Sequence, residues 1–305
     1  MEAEARPGGP TIALFALAVT LGGANFIGVR FSNRELEPFW GAGLRFSVAA
    51  VLFIIIATFL RLSVPKGRHL GMNLLYGLLS FALSYALMYW ALVRVTAGVA
   101  TVILAIVPLV TLLLAAAHGM EKLGVRPLAG SLLAIAGIVW MAVGPQDIDL
   151  PFTSLVAMLV AALALGESVI VSKKVSGYHP VMTNAVGMSA GALVLLGISA
   201  VAGERWVLPG ETEVIWSVAY LATFGSVGLF LLLLMVIRQW TASASSYAFV
   251  LFPVVTMLLG AWIASEPITL QGVTGAILVM SGVWFGALSP GARQALVVAE
   301  SKPAV

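Results

Sequence analysis

Apolar residues fill nearly every position of this chain for about 20 residues at a time, and short connections rich in turn formers and charges separate the runs. Within a run they go all the way round a helix rather than down one stripe, which suits a helix surrounded by hydrocarbon. About 20 apolar residues carry a helix across a bilayer, where only helices and closed barrels satisfy their own backbone polar groups. Ten runs qualify: Thr11 to Val29, Pro38 to Leu60, Leu70 to Val93, Thr96 to Ala117, Pro127 to Val143, Pro151 to Val171, Pro180 to Val201, Val214 to Ile237, Ser243 to Ala264 and Leu270 to Leu288. The chain therefore reads as an all-α integral membrane protein with ten transmembrane helices.

Composition agrees. Of 305 residues, 61% are hydrophobic and 10% charged, against about a quarter charged in soluble domains. The 16 basic and 13 acidic residues are scattered over the connections, with no basic run to follow a phosphate backbone, so nucleic acid is excluded as a partner. There is no cysteine, hence no disulfide framework and no thiolate metal site. His69, His118 and His179 all fall at predicted helix ends, and neither a metal nor a cofactor is expected. The first run is longer than a signal-peptide core and lacks a small-x-small cleavage site, which predicts a retained helix.

With a cytoplasmic N-terminus, the inner connections hold Arg6, Arg61, Lys66, Arg68, Lys122, Arg126, Lys173, Lys174, Arg238, Arg293 and Lys302. The outer ones hold Arg30, Arg34, Arg94 and Arg205. That bias follows the positive-inside rule and predicts a multi-pass protein of the cell inner membrane with both termini cytoplasmic.

A shift of 145 residues lays Arg94 to Ala142 over Gln239 to Ala287 without a gap. Thr96 and Ala97 fall on Thr241 and Ala242, Pro108 on Pro253, Glu121 on Glu266, and Gly130 and Gly137 on Gly275 and Gly282. Residues 1–145 then form one five-helix repeat, 146–290 a second, and 291–305 a cytoplasmic tail. Five is odd, so the second repeat crosses in the opposite sense, giving the inverted architecture of alternating-access transporters.

Within the runs, polar and aromatic residues mark candidate substrate contacts. Arg45, inside the second span, either meets a substrate carboxylate or snorkels to headgroups or Glu37. Glu167 in the sixth span is a proton-coupling candidate or a partner of Lys173 or Lys174. Tyr85 and Tyr89 share one helix face, with Phe81 and Ser84 on adjoining turns. Trp90, Tyr247 and Phe249 are further cavity candidates, while Asn25, Ser168, Asn184 and Ser246 offer hydrogen bonds to a ligand or to neighbouring helices. Pro108 and Pro253 predict symmetric kinks usable as gating hinges. Glu121 and Glu266 end their spans and are expected to cap the helix that follows, and Gly187 with Gly191 to allow close packing inside the bundle.

The pattern Tyr85-Ala-Leu-Met-Tyr89, Thr96-Ala97, Pro108, Glu121, Gly130 and Gly137, repeated as Thr241-Ala242, Pro253, Glu266, Gly275 and Gly282, resembles the EamA-type members of the drug/metabolite transporter superfamily over about the whole chain. The second copy has Phe230 and leucines where the first has tyrosines, so the expected site is asymmetric. The resemblance implies a secondary transporter whose substrate is a small metabolite, with amino-acid export as the leading class and other metabolites or amphipathic drugs as the alternative.

No Walker loop is present to drive transport with ATP. A membrane-embedded enzyme acting on lipid would need a nucleophile, metal cluster or acid–base pair in one site, and no catalytic residue is proposed. A monomer is compatible with these features, and the sequence specifies no oligomeric state.

Overall fold

The computed structural model describes residues 9–119, 125–143, 150–174, 177–239 and 247–285. Every element among them is helical: α1 (Gly9–Ser32), α2 (Pro38–Phe59), α3 (Arg68–Gly77), α4 (Ser84–Leu92), α5 (Ala97–Leu104), α6 (Val107–Ala117), α7 (Val125–Val143), α8 (Phe152–Lys174), α9 (Pro180–Val201), α10 (Thr212–Ala222), α11 (Leu229–Gln239), α12 (Tyr247–Ile263) and α13 (Leu270–Val283). Leu78–Leu83 joins α3 to α4 and Thr223–Gly228 joins α10 to α11, both as π-helical turns within otherwise continuous rods.

Seven rods are long and apolar enough to cross a membrane, and Leu128–Trp140, Ala248–Ile263 and Leu270–Val283 are shorter apolar helices. All ten coincide with the runs read from the sequence. The two π turns begin at Leu78 and Thr223, 145 residues apart, the same offset that aligned the side chains of the two halves.

Packing follows the same correspondence. α2 packs on α9, and α7 on α13. α1 lies against α10, α11 and α12, while α8 lies against α3, α4, α5 and α6. Gly187 of α9 rests on the backbone of Gly77, where a Cβ on Gly77 would strike the Gly187 backbone, and Gly191 lies against Phe81. The glycine pair therefore packs within the bundle. Trp140 Nε1 donates to Thr274 Oγ1 at 2.9 Å across α7 and α13.

Proline shapes the bundle unevenly. At Pro108 the fourth span breaks, with α5 ending at Leu104 and α6 restarting with proline in its first turn. That placement avoids the clash with the carbonyl four residues back and needs no N–H. Pro253 instead lies inside α12, which runs on without interruption. The expected pair of matching kinks is thus one break and one continuous helix.

Candidate functional site

Arg45, the eighth residue of α2, is 1% exposed. A guanidinium at that depth is costly unless polar groups meet it. Its Nε donates to Ser226 Oγ at 2.8 Å and its Nη2 to the Gly225 carbonyl at 2.9 Å. It reaches neither headgroups nor Glu37, because the π turn offers acceptors closer at hand. Two ring faces cover the cation, Phe46 and Tyr85, each 5.0 Å from Cζ. Nη1 has no hydrogen-bond partner among the described residues.

The π turn explains why a carbonyl is available. Widening a helix by one residue disturbs the regular ladder, and such turns concentrate at functional positions. The Gly225 carbonyl accepts from Arg45 and also from Asn25 Nδ2 of α1 at 2.9 Å. A Cβ at Gly225 would collide with Asn25 Oδ1, so only glycine lets the three groups meet. Ser226 passes its own proton to the Leu221 carbonyl at 2.8 Å. Asn25 Oδ1 and the Tyr89 hydroxyl, both buried near the cation, lack partners among the described residues.

Donors and acceptors left open beside a satisfied cation are the outline of a polar ligand. An anionic group can accept from Nη1 and from the Tyr89 hydroxyl, while a cationic or N–H group can donate to Asn25 Oδ1. The bidentate Arg45 fork expected from the sequence is already occupied through Nε and Nη2.

The other residues expected at a site divide into groups. Tyr85 meets Phe46 edge-on with centroids 4.7 Å apart, Phe81 packs on Phe46 at a tilt with centroids 5.3 Å apart, and Tyr85 and Tyr89 lie 6.5 Å apart. These place Asn25, Arg45, Phe81, Tyr85 and Tyr89 around one centre. Ser84, fully buried nearby on α4, donates to the Ser80 carbonyl at 2.6 Å. Trp90 lies apart, its ring under Arg94 at 4.7 Å. Phe249 is half-buried beside Phe252, and Ser168 returns its proton to the Leu165 carbonyl. Asn184 is fully buried on α9, with neither amide atom partnered among the described residues. Ser246, the Tyr247 side chain and Glu121 lie outside the described residues.

Glu167 meets His118, Nε2 to Oε1 being 3.3 Å, while the side chains of Lys173 and Lys174 lie outside the described residues. His118 Nδ1 is 2.8 Å from the Leu114 carbonyl, which can only accept, so Nδ1 is the donor of that bond. Glu266 caps a helix as expected, but a different one. Its Oε1 accepts from Ala97 N at 3.0 Å and its Oε2 from Gly98 N at 3.4 Å, at the start of α5, with Arg30 Nε 3.5 Å from Oε1. The following helix, α13, is capped by Thr269 instead. A carboxylate at a helix N-terminus is favoured by the orphan N–H groups and the dipole, and here it ties the two halves together.

Sequence reading missed Gly225, Ser226, Phe46 and His118. Extending the 145-residue shift upstream would have laid Ser80 over Gly225 and exposed the Gly225-Ser226 step, the one signal available for it. Nothing local marks Phe46 among the phenylalanines of an apolar run. Among the described residues no group of three or more His, Cys, Asp or Glu is placed to hold a metal ion.

The EamA-like transporter family matches this chain twice, over residues 9–143 and 152–287. The uncharacterized inner membrane transporter YedA of Escherichia coli K12 is 29% identical over 261 residues, covering 84% of this chain and 83% of that protein. A protein of Streptantibioticus cattleyicolor named as a probable terminal-alkyne amino-acid exporter is 29% identical over 249 residues, covering 79% of this chain and 82% of its own. A solved crystal structure superposes with a TM-score of 0.67 at 17% identity, covering 93% of this chain and 98% of the other, which speaks to the fold alone.

Proposed function

Because this chain belongs to the EamA-like transporter family, a multi-pass membrane family, we propose that it is a secondary carrier exporting amino acids, aromatic or large neutral ones first, by alternating access around Arg45. The observation that carries this reading is the buried guanidinium with its Nη1 unpartnered, beside the unpartnered Tyr89 hydroxyl and Asn25 Oδ1. A zwitterion matches that set: its carboxylate accepts from Arg45 Nη1 and Tyr89, and its ammonium donates to Asn25. An aromatic or large apolar side chain then lies toward Phe46, Phe81 and Tyr85. The similarity to a named amino-acid exporter supports the same class.

In this reading the ten helices are ten spans, arranged as an inverted pair of five-helix repeats over residues 1–145 and 146–290. Residues 291–305 form a tail, and both termini are cytoplasmic in the cell inner membrane. The doubled family match, the 145-residue spacing of the π turns and the self-paired packing of α2 with α9 and α7 with α13 support it. Glu266 closes the outer side by joining α5, α1 and the end of α12. The break at Pro108 and the proline within α12 serve as hinges, and the His118–Glu167 pair couples the cycle to the proton gradient.

The test is reconstitution of the purified protein in liposomes loaded with radiolabelled aromatic, aliphatic or charged amino acids, with protein-free vesicles setting the leak. Faster release of aromatic or large neutral amino acids is expected. Release of none above the leak would discard the amino-acid class.

A further inference from the structure

A groove of about 610 Å³ opens on the apolar outer face of the bundle between α2, α3 and α9, a size typical of small-molecule sites, which run to roughly 300–1,000 Å³. Its walls are apolar, among them Ile54, Ala57, Leu78 and Ala190, and Leu62 and Val64 of the connection after α2 bound one end.

What lies at that end differs from the matching place in the other half. α2 and α9 are both 22 residues long and finish alike. Arg61 N and Leu62 N donate to the Thr58 and Ala57 carbonyls, just as Gly203 N and Glu204 N donate to those of Ala200 and Ser199. Both ends need a left-handed residue, with φ of 73° at Gly203 and 51° at Arg61. Glycine takes that conformation freely, whereas arginine is strained in it. Among the described residues the Arg61 side chain makes no hydrogen bond or ion pair that would offset this strain, and it is exposed next to Leu62 of the groove wall.

After the shared motif the halves part. Glu204 accepts from Phe39 N at 3.0 Å and Trp40 N at 2.7 Å, and Trp206 stacks on Trp40 at 4.9 Å, so that end is shut. Leu62 and Val64 stand at the corresponding positions and leave the groove open. Exposed Lys66 and Arg68 follow, α3 starts at Arg68 without a side-chain cap, and no acidic residue occurs between Glu37 and Glu121. An apolar trough facing hydrocarbon thus ends in three cations with no acidic partner among the described residues.

From these features we infer that the groove is a binding site for an anionic phospholipid, its acyl chain along α2 and α9 and its phosphate at Arg61, Lys66 and Arg68. Clusters of basic residues at a membrane surface attract anionic headgroups, each by about a fivefold factor in affinity. Assignment to the inner leaflet rests on the orientation proposed above, and the binding itself does not.

The purified full chain in detergent is titrated with phosphatidylglycerol, with phosphatidylcholine of the same acyl chains and with inorganic phosphate, and bound lipid is counted by native mass spectrometry. Phosphatidylglycerol is expected to bind more tightly than phosphatidylcholine. Arg61→Gly should lose about fivefold of the phosphatidylglycerol affinity and none of the phosphatidylcholine affinity, while its lipid-free unfolding temperature holds or rises because glycine relieves the strain. Ala190→Phe should fill the groove and weaken both lipids. Equal binding of the two lipids, an unchanged preference in Arg61→Gly, equal protection by inorganic phosphate, or a dimer that Ala190→Phe dissociates would each overturn the site. None of these readings depends on transport, so they stand apart from the export assay.

Discussion

Arg45 and Asn25 donate to one and the same oxygen, the carbonyl of Gly225, each at 2.9 Å. Residues from α1 and α2 are thereby fastened to the middle of the rod formed by α10 and α11, and the groups they leave open are buried.

Replacing Arg45 by methionine should leave the fold largely intact. The Gly225 carbonyl keeps its donor Asn25, and the Ser226 hydroxyl still donates to the Leu221 carbonyl, so neither group is left without a hydrogen bond. A hydrogen bond to a charged group is worth about 1.5–3 kcal/mol, and KM for substrates bearing a carboxylate should rise about 10- to 100-fold with little change in unfolding temperature. Counterflow with an amino acid and with its amide tests this, since the amide should lose less.

Glu266→Gln should loosen the outer closure. It removes the charge that holds the start of α5 and sits beside Arg30, at a cost of about 1 kcal/mol. The chain has no native cysteine, so Val95→Cys, at a 1% exposed position next to this cap, reports directly. Maleimide should label it about fivefold faster in the Glu266→Gln background, and equal rates would rule out the closing role.

Glu167→Gln and His118→Gln should each leave exchange of labelled substrate at equal pH intact while abolishing the response of net release to a pH gradient. Each removes one side of the 3.3 Å contact. A retained response to the gradient in either variant would remove the pair from coupling.

Gly191→Ala should destabilise the protein by about 1–3 kcal/mol, because its Cβ would collide with the Phe81 Cβ. Gly197→Ala on the same helix meets open space and should be neutral or slightly stabilising. Thermal unfolding of the two variants side by side separates packing from propensity.

Much of the fold was legible because bilayer length and backbone satisfaction constrain helices so tightly. The ten runs coincide with ten helices, and Gly187 packs inside the bundle. The centre was legible in its aromatic half, since Tyr85 and Tyr89 share a face by helical spacing alone. Its polar half was not: Arg45 looked like a residue near a membrane surface because nothing in the apolar run Val214 to Ile237 announces a π turn with a free carbonyl. The capping of α5 by Glu266 was hidden for a different reason, as sequence proximity favours the adjacent helix and only packing brings the distant one closer.

The π turns also carry a date. An extra residue in a helix is a local insertion, and two insertions at the same place in both halves are most simply one event, copied when a shorter ancestral chain was doubled. Arginine stands in one copy and donates to the free carbonyl of the other half's turn, while in the other copy the eighth residue of the corresponding helix is glycine, which needs no acceptor and lets the backbones touch. One widened turn thus serves a charged contact in one half and a close backbone approach in the other.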